Sequence, residues 1–199
     1  AEGFPIVLID RYFEDLEAPC VVVKNREGAA QAASHLAELG YKKPLVLAID
    51  PAYAYTIKER CEGFVDEMKD HSINPMVVHI PFGDSTEYVE QLLSSLLDKN
   101  DLPDCIFALN NNIATACLQT LRKFNIGIPN QIGLVCFDDV PYFNFIKPSV
   151  TAISQPVDEL SAAAFEILLK LLKEDSKSKE KVKKYLPVEF IQRESTTKK

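Results

Sequence analysis

The feature that most constrains this chain is a regular alternation of short apolar runs with stretches of helical spacing. Pro5–Ile9, Cys20–Val23, Pro44–Ile49, Met76–Ile80, Cys105–Ala108, Ile132–Phe137 and Ala152–Ser154 read as extended segments, and a last strand covers Tyr185–Gln192. Between them the spacing predicts helices over Glu27–Leu39, Lys58–Lys69, Thr86–Leu97, Ile113–Phe124 and Val157–Lys173. Gly40 stands where a helix C-terminal cap belongs. Strands alternating with helices of this length give βαβ units and a parallel sheet. Runs such as Leu45-Val46-Leu47-Ala48-Ile49 carry no polar alternation, so these strands are covered on both faces. The fold class is therefore α/β with doubly wound parallel sheets, and 199 residues suffice for one large domain or two small lobes.

Sheets of this kind bind ligands at the carboxyl ends of their strands. The residues that follow the strands here are Asp10 and Arg11, Asp50 with the Tyr53–Thr56 loop, Phe82 to Asp84, Asn110 to Asn112, and Asp138 with Asp139. Arg60 lies on the first turns of the helix after the Tyr53–Thr56 loop. Carboxylates and amides bond several hydroxyls or ring nitrogens at once, and aromatic rings stack on sugars or bases. Catalysis finds no such support: nucleophile elbow, phosphate loop and dinucleotide fingerprint are all absent. Asp138–Asp139 is a candidate acid/base pair, but adjacent residues at a strand end point apart, and no His or Lys is patterned to assist them. The expectation is a non-catalytic binding protein without a cofactor.

Charge and cysteine usage narrow the class further. A net charge of −7 argues against direct contact of this stretch with nucleic-acid phosphate. The lysines of Lys170–Lys184 are interrupted by Glu174, Asp175 and Glu180, as in a solvated helix and loop. Cys20, Cys61, Cys105, Cys117 and Cys136 form no C-x-x-C pair. They read as free, mostly buried thiols in a reducing cytoplasm. His35, His71 and His79 have no partners at ligand spacing, so no metal site is expected. No apolar run is long enough to span a bilayer, and Ala1–Asp10 does not have the form of a leader.

The segment FDDVPYFNFIKPSVTAISQP, Phe137–Pro156, resembles the signature of lactose-repressor-type (LacI/GalR) regulators, G-[FY]-D-[DN] followed by P-x-L-T-x-[IV]-x-Q-P. PIVLIDR (Pro5–Arg11), VVKNREGAAQAASHLAELGYKK (Val22–Lys43), RCEGF (Arg60–Phe64), PDCIFALNNNIATACLQTLRKFNIGIPNQIGLVCFDD (Pro103–Asp139) and LPVEFIQRES (Leu186–Ser195) are similar in the same order. The resemblance implies a two-lobed periplasmic-binding-protein-like core with three chain crossings and a small-molecule effector between the lobes. It implies that residues 1–23 and 157–183 form part of an N-terminal lobe, which is incomplete. Residues 24–153 and 185–195 then form the C-terminal lobe, and a DNA-binding head precedes the stretch seen here. By position, the ligand-binding residues it implies are Asp10, Thr56, Arg60, Phe82, Asn110 and Asp138. It also implies a homodimer, with Ile113–Leu121 and Pro141–Lys147 as the contact regions; Tyr142, Phe143 and Phe145 are expected to be exposed there.

This chain departs from the pattern at several positions. Asn111 replaces a common Asp, Cys136 a common Gly, and Ser161 a common Gly. Ala54 replaces the arginine of purine-type members, while Tyr53 and Tyr55 offer stacking, so a sugar fits better than a purine. Other readings stay open for single residues. Arg60 also fits a surface arginine paired with Glu59 or Glu62, Phe82 a core plug, and Asn110 and Asp138 helix caps. A solute-binding or sensor protein of the same fold is the alternative to a cytoplasmic repressor.

Overall fold

The computed structural model describes residues 4–13, 16–50, 55–81, 83, 85–173 and 182–197. Two sheets organise them. The smaller is wholly parallel and joins β1 (Leu8–Ile9), β2 (Cys20–Val23) and β8 (Lys183–Leu186) in the order β1-β2-β8. The larger contains β3 (Pro44–Ile49), β4 (Met76–Ile80), β5 (Cys105–Ala108), β6 (Gly133–Phe137), β7 (Thr151–Ser154) and β9 (Glu189–Ile191). Its order is β4-β3-β5-β6-β7-β9, parallel except for β9, which runs antiparallel to β7. The connection reverses direction at β3, which has β4 on one side and β5 on the other, as in a doubly wound sheet.

Both faces of the larger sheet are covered, as its unbroken apolar strands require. On one face lie α1 (Asn25–Glu38) and α2 (Tyr55–Asp70), around Phe64, Phe107, Val135 and Phe137. On the other lie α3 (Ser85–Asp98) and α4 (Asn111–Lys123), around Leu47, Leu93, Leu121 and Leu134. α5 (Val157–Lys173) packs Leu160, Ala163 and Ala164 toward β1 and β2. The chain passes between the sheets three times: after β2, after β7, and between β8 and β9.

Gly40 ends α1 as expected. At φ 83° its N–H donates to the Ala37 carbonyl and that of Tyr41 to Leu36, the paired bonds of a Schellman cap. Two expectations change. The single strand over Tyr185–Gln192 is two short strands in different sheets. Pro187 has no N–H to offer a ladder, and the chain leaves one sheet there and enters the other. Phe143 is fully buried rather than exposed, because the 3-10 turn Pro141–Asn144 folds it under the loop; Phe145 is 81% exposed and Tyr142 40%. Residues 174–181 of the expected lobe segment 157–183 lie outside those described.

Candidate functional site

Arg60 forms the centre of the constellation. It stands on α2, one turn after the buried Thr56 and on the same face. α2 lies directly against α1 because Gly63 has no side chain; a Cβ there would sit 2.3 Å from the Arg26 carbonyl oxygen. That approach brings Arg60 to Asn25, the first residue of α1. Arg60 Nε donates to Asn25 Oδ1 at 2.7 Å, and a terminal nitrogen donates to the Leu109 carbonyl at 3.0 Å. The guanidinium carbon lies 3.8 Å from the centre of the Phe137 ring, a cation–π contact. The side chain is only 4% exposed. Burial pulls its pKa down, against the opposing push of the nearby Asp138 and Asp10.

The two aspartates flank it from different sheets. Asp10 follows β1 and Asp138 follows β6, and each holds one carboxylate oxygen 3.9 Å from a guanidinium nitrogen. This is electrostatic contact without a direct hydrogen bond. Asp138 Oδ1 accepts from Gln155 Nε2 at 2.6 Å, and the Asn111 backbone also donates to the carboxylate. Burial raises the Asp138 pKa, against the opposing pull of Arg60 and Gln155. The inner oxygen of Asp10, Oδ1, is buried without a hydrogen-bond partner, while Oδ2 faces Arg11 at 3.7 Å. Both aspartates sit in left-handed backbone, φ 64° and 94°. Such geometry costs a non-glycine residue on the order of 1 kcal/mol and persists where its surroundings hold it.

An arginine with two nitrogens committed to protein, two carboxylates just out of bonding range, and one carboxylate oxygen without a donor is suited to a ligand with several hydroxyls. A hydroxyl both donates and accepts, so one group can answer the arginine and an aspartate together. Beside Arg60 in sequence, Glu59 accepts from the Tyr12 hydroxyl at 3.5 Å; the Tyr12 and Tyr55 rings lie 4.8 Å apart, with Lys183 Nζ 3.4 Å from the centre of the Tyr12 ring.

Of the six residues named from the sequence, Asp10, Arg60 and Asp138 come together, and Thr56 shares the Arg60 face. Asn110 caps α4: its Oδ1 accepts from the Ile113 N–H at 2.9 Å, beside the Leu109 carbonyl that Arg60 holds. Phe82 lies outside the described residues, as do Tyr53 and Ala54. The surface reading of Arg60 is overturned by its burial; Glu62 instead pairs with Arg26 at 3.1 Å. Asp139 faces away from Asp138 and takes a two-pronged contact from Arg193, at 2.8 and 2.7 Å. Asn25, Phe137 and Gln155 join the site without standing among the residues the sequence nominates. Asn25 and Gln155 lie in the VVKN and SQP stretches, where an amide beside a strand end was the available signal. Among the described residues no cluster of three or more His, Cys, Asp or Glu side chains could hold a metal ion, and no helix is long and apolar enough to cross a membrane.

The chain is 27% identical to the ribose operon repressor of Halalkalibacterium halodurans over 98% of its own length and 57% of that protein. It is 28% identical to the transcriptional regulator DegA of Bacillus subtilis, over 99% and 58% respectively. It therefore spans little more than half the length of these relatives. A LacI family transcriptional regulator from Enterococcus faecium, solved with bound ribose, superposes with a TM-score of 0.84 at 26% identity, covering 97% of this chain and 70% of that one. With residues 33–196 matching the family as a whole, this chain belongs to the periplasmic-binding-protein-like domain family.

Proposed function

We propose that this chain is the effector-sensing part of a bacterial transcriptional repressor and takes a small sugar against Arg60, Asp10 and Asp138. Thr56, Asn110 and Phe82 complete the contact set. The observation that carries this reading is the buried Arg60 between two carboxylates, with one Asp10 oxygen awaiting a donor. The ribose bound to the similar Enterococcus faecium regulator supports a pentose. The names of the curated relatives, one a repressor and one a transcriptional regulator, support the regulatory role and a cytoplasmic, non-catalytic protein.

In this reading the smaller sheet with α5 is part of one lobe and the larger sheet is the other, with the last boundary between Leu186 and Glu189. Sugar bound to Asp10 on one side and Asp138 on the other favours one angle between the lobes. That angle shifts a pair of DNA-binding heads in a homodimer, and DNA is touched only through those heads. The pairing surface includes the outer side of Ile113–Leu121 and the Pro141–Lys147 loop.

Isothermal calorimetry with D-ribose tests the proposal, backed by a thermal-shift panel of pentoses, hexoses and nucleobases. A sugar at a hundredfold excess over its Kd should stabilise the fold by about 2.7 kcal/mol. A melting point raised by a purine and by no sugar would refute the sugar reading.

A further inference from the structure

Asn25 stands at the start of a helix, where asparagine ordinarily caps free backbone N–H groups. It does not do so here. Lys24 occupies the cap position of α1, and no side chain caps the helix there. The Asn25 side chain turns inward instead, to 1% exposure. Its oxygen accepts from Arg60 Nε at 2.7 Å, and its nitrogen donates to the Val23 carbonyl at 3.2 Å and to Glu59 Oε2 at 3.3 Å. The amide orientation follows from these partners, because Nε can only donate and the other two can only accept.

The consequence for Arg60 is geometric. A guanidinium on a long stem has many rotamers, and immobilising it costs side-chain entropy. Nε is the donor nearest the stem, so bonding it fixes the plane of the group. With Nε on Asn25 and one terminal nitrogen on Leu109, the plane lies over Phe137 and the remaining N–H groups face the gap between Asp10 and Asp138. Asn25 is also the second residue beyond β2, and the intervening Lys24 N–H donates to the Leu186 carbonyl at the end of β8. One amide thus joins the strand ends of the smaller sheet to an arginine that lies over the larger one.

We propose that Asn25 is the positioning residue of Arg60, holding the guanidinium in the orientation that meets a sugar and linking it to the first chain crossing. The inference rests on the sugar-binding reading of Arg60, but its test does not depend on it. The readout is the Arg60 Nε–Hε resonance in nitrogen–proton spectra of the full chain without ligand, with its rate of hydrogen exchange. Asn25→Ala should speed that exchange and, in calorimetry, weaken D-ribose by about tenfold, the usual effect of one hydrogen bond to a charged group. Asn25→Asp, made together with Glu59→Gln so that an amide faces the new carboxylate in place of a second carboxylate, keeps an oxygen opposite Nε and should keep Hε protected, which also decides the matter if the alanine variant does not fold. Ala33→Gly, in the same helix and remote from Arg60, matches a loss of stability and should leave both readouts unchanged. Unchanged Hε exchange in Asn25→Ala, loss of protection in the Asn25→Asp, Glu59→Gln double variant, or equal effects from Ala33→Gly would each overturn the proposal. If the wild-type chain takes no ribose while Hε still responds to Asn25, the sugar reading falls and the positioning role stands.

Discussion

At the scale of the residue, Arg60 serves stability and recognition through the same atoms. Removing it leaves Asp138 half-enclosed without its cation, and Asn25 Oδ1 and the Leu109 carbonyl without a donor. A broken buried pair typically costs about 3–5 kcal/mol, because the partner charge is left uncompensated. Arg60→Ala should therefore lose sugar binding and also shift the urea midpoint markedly downward; a midpoint unchanged from wild type would contradict the burial described above. Reading the helix as an isolated surface suggests a smaller stability effect, since most helical arginines are solvated. The residue type and its place after β3 were legible in the sequence. Its burial was not, because that depends on α1, which is remote in sequence and packs across α2.

At the scale of the element, RCEGF becomes a packing unit. Arg60 points to the site, Gly63 admits the backbone of α1, and Phe64 stacks on Phe107 with ring centres 4.5 Å apart. Gly63→Ala places a methyl group against the Arg26 carbonyl, where neither backbone can yield without moving a helix. Overpacking of this kind costs roughly 1–3 kcal/mol, which exceeds the gain of about 1 kcal/mol from replacing a helical glycine with alanine. The melting temperature should fall and sugar affinity with it, since α2 carries Arg60; a more stable variant would show that the helices separate easily. Strand and helix spans were legible from apolar periodicity, and β3, β4, β5 and α5 match it end for end. The division of the last strand was not, because β8 and β9 are both short, and only pairing with β2 and β7 assigns them to different sheets.

At the scale of the whole molecule, two surfaces ask for partners. Among the described residues β1 is an edge of the smaller sheet, and Phe4, Ile6, Ile9 and Phe13 near it are exposed, as are Phe165 and Leu172 on α5. The second surface is the loop after β6, where Phe145 protrudes beside Tyr142, whose hydroxyl lies 2.5 Å from that of Thr115 on α4. On the proposed homodimer, Phe145→Asp should convert dimer to monomer in sedimentation velocity with little change in the monomer's melting temperature, because an 81% exposed ring contributes little to its own fold. A variant that sediments as wild type would place the pairing surface elsewhere.

The sequence by itself determined the class of this protein and the kind of chemistry at its strand ends. Apolar periodicity is a local property, and so is the polar residue at the carboxyl end of each strand. The LacI/GalR-like stretches set the order of the pieces. Only the tertiary structure decided that Asp10, Arg60 and Asp138 meet, that Asn110 caps a helix while Asp139 is held by Arg193, and that Asn25 turns inward rather than capping α1. These outcomes depend on distances between segments far apart in the chain. They follow from how closely Gly63 lets two helices approach and from where the chain crosses between its two sheets.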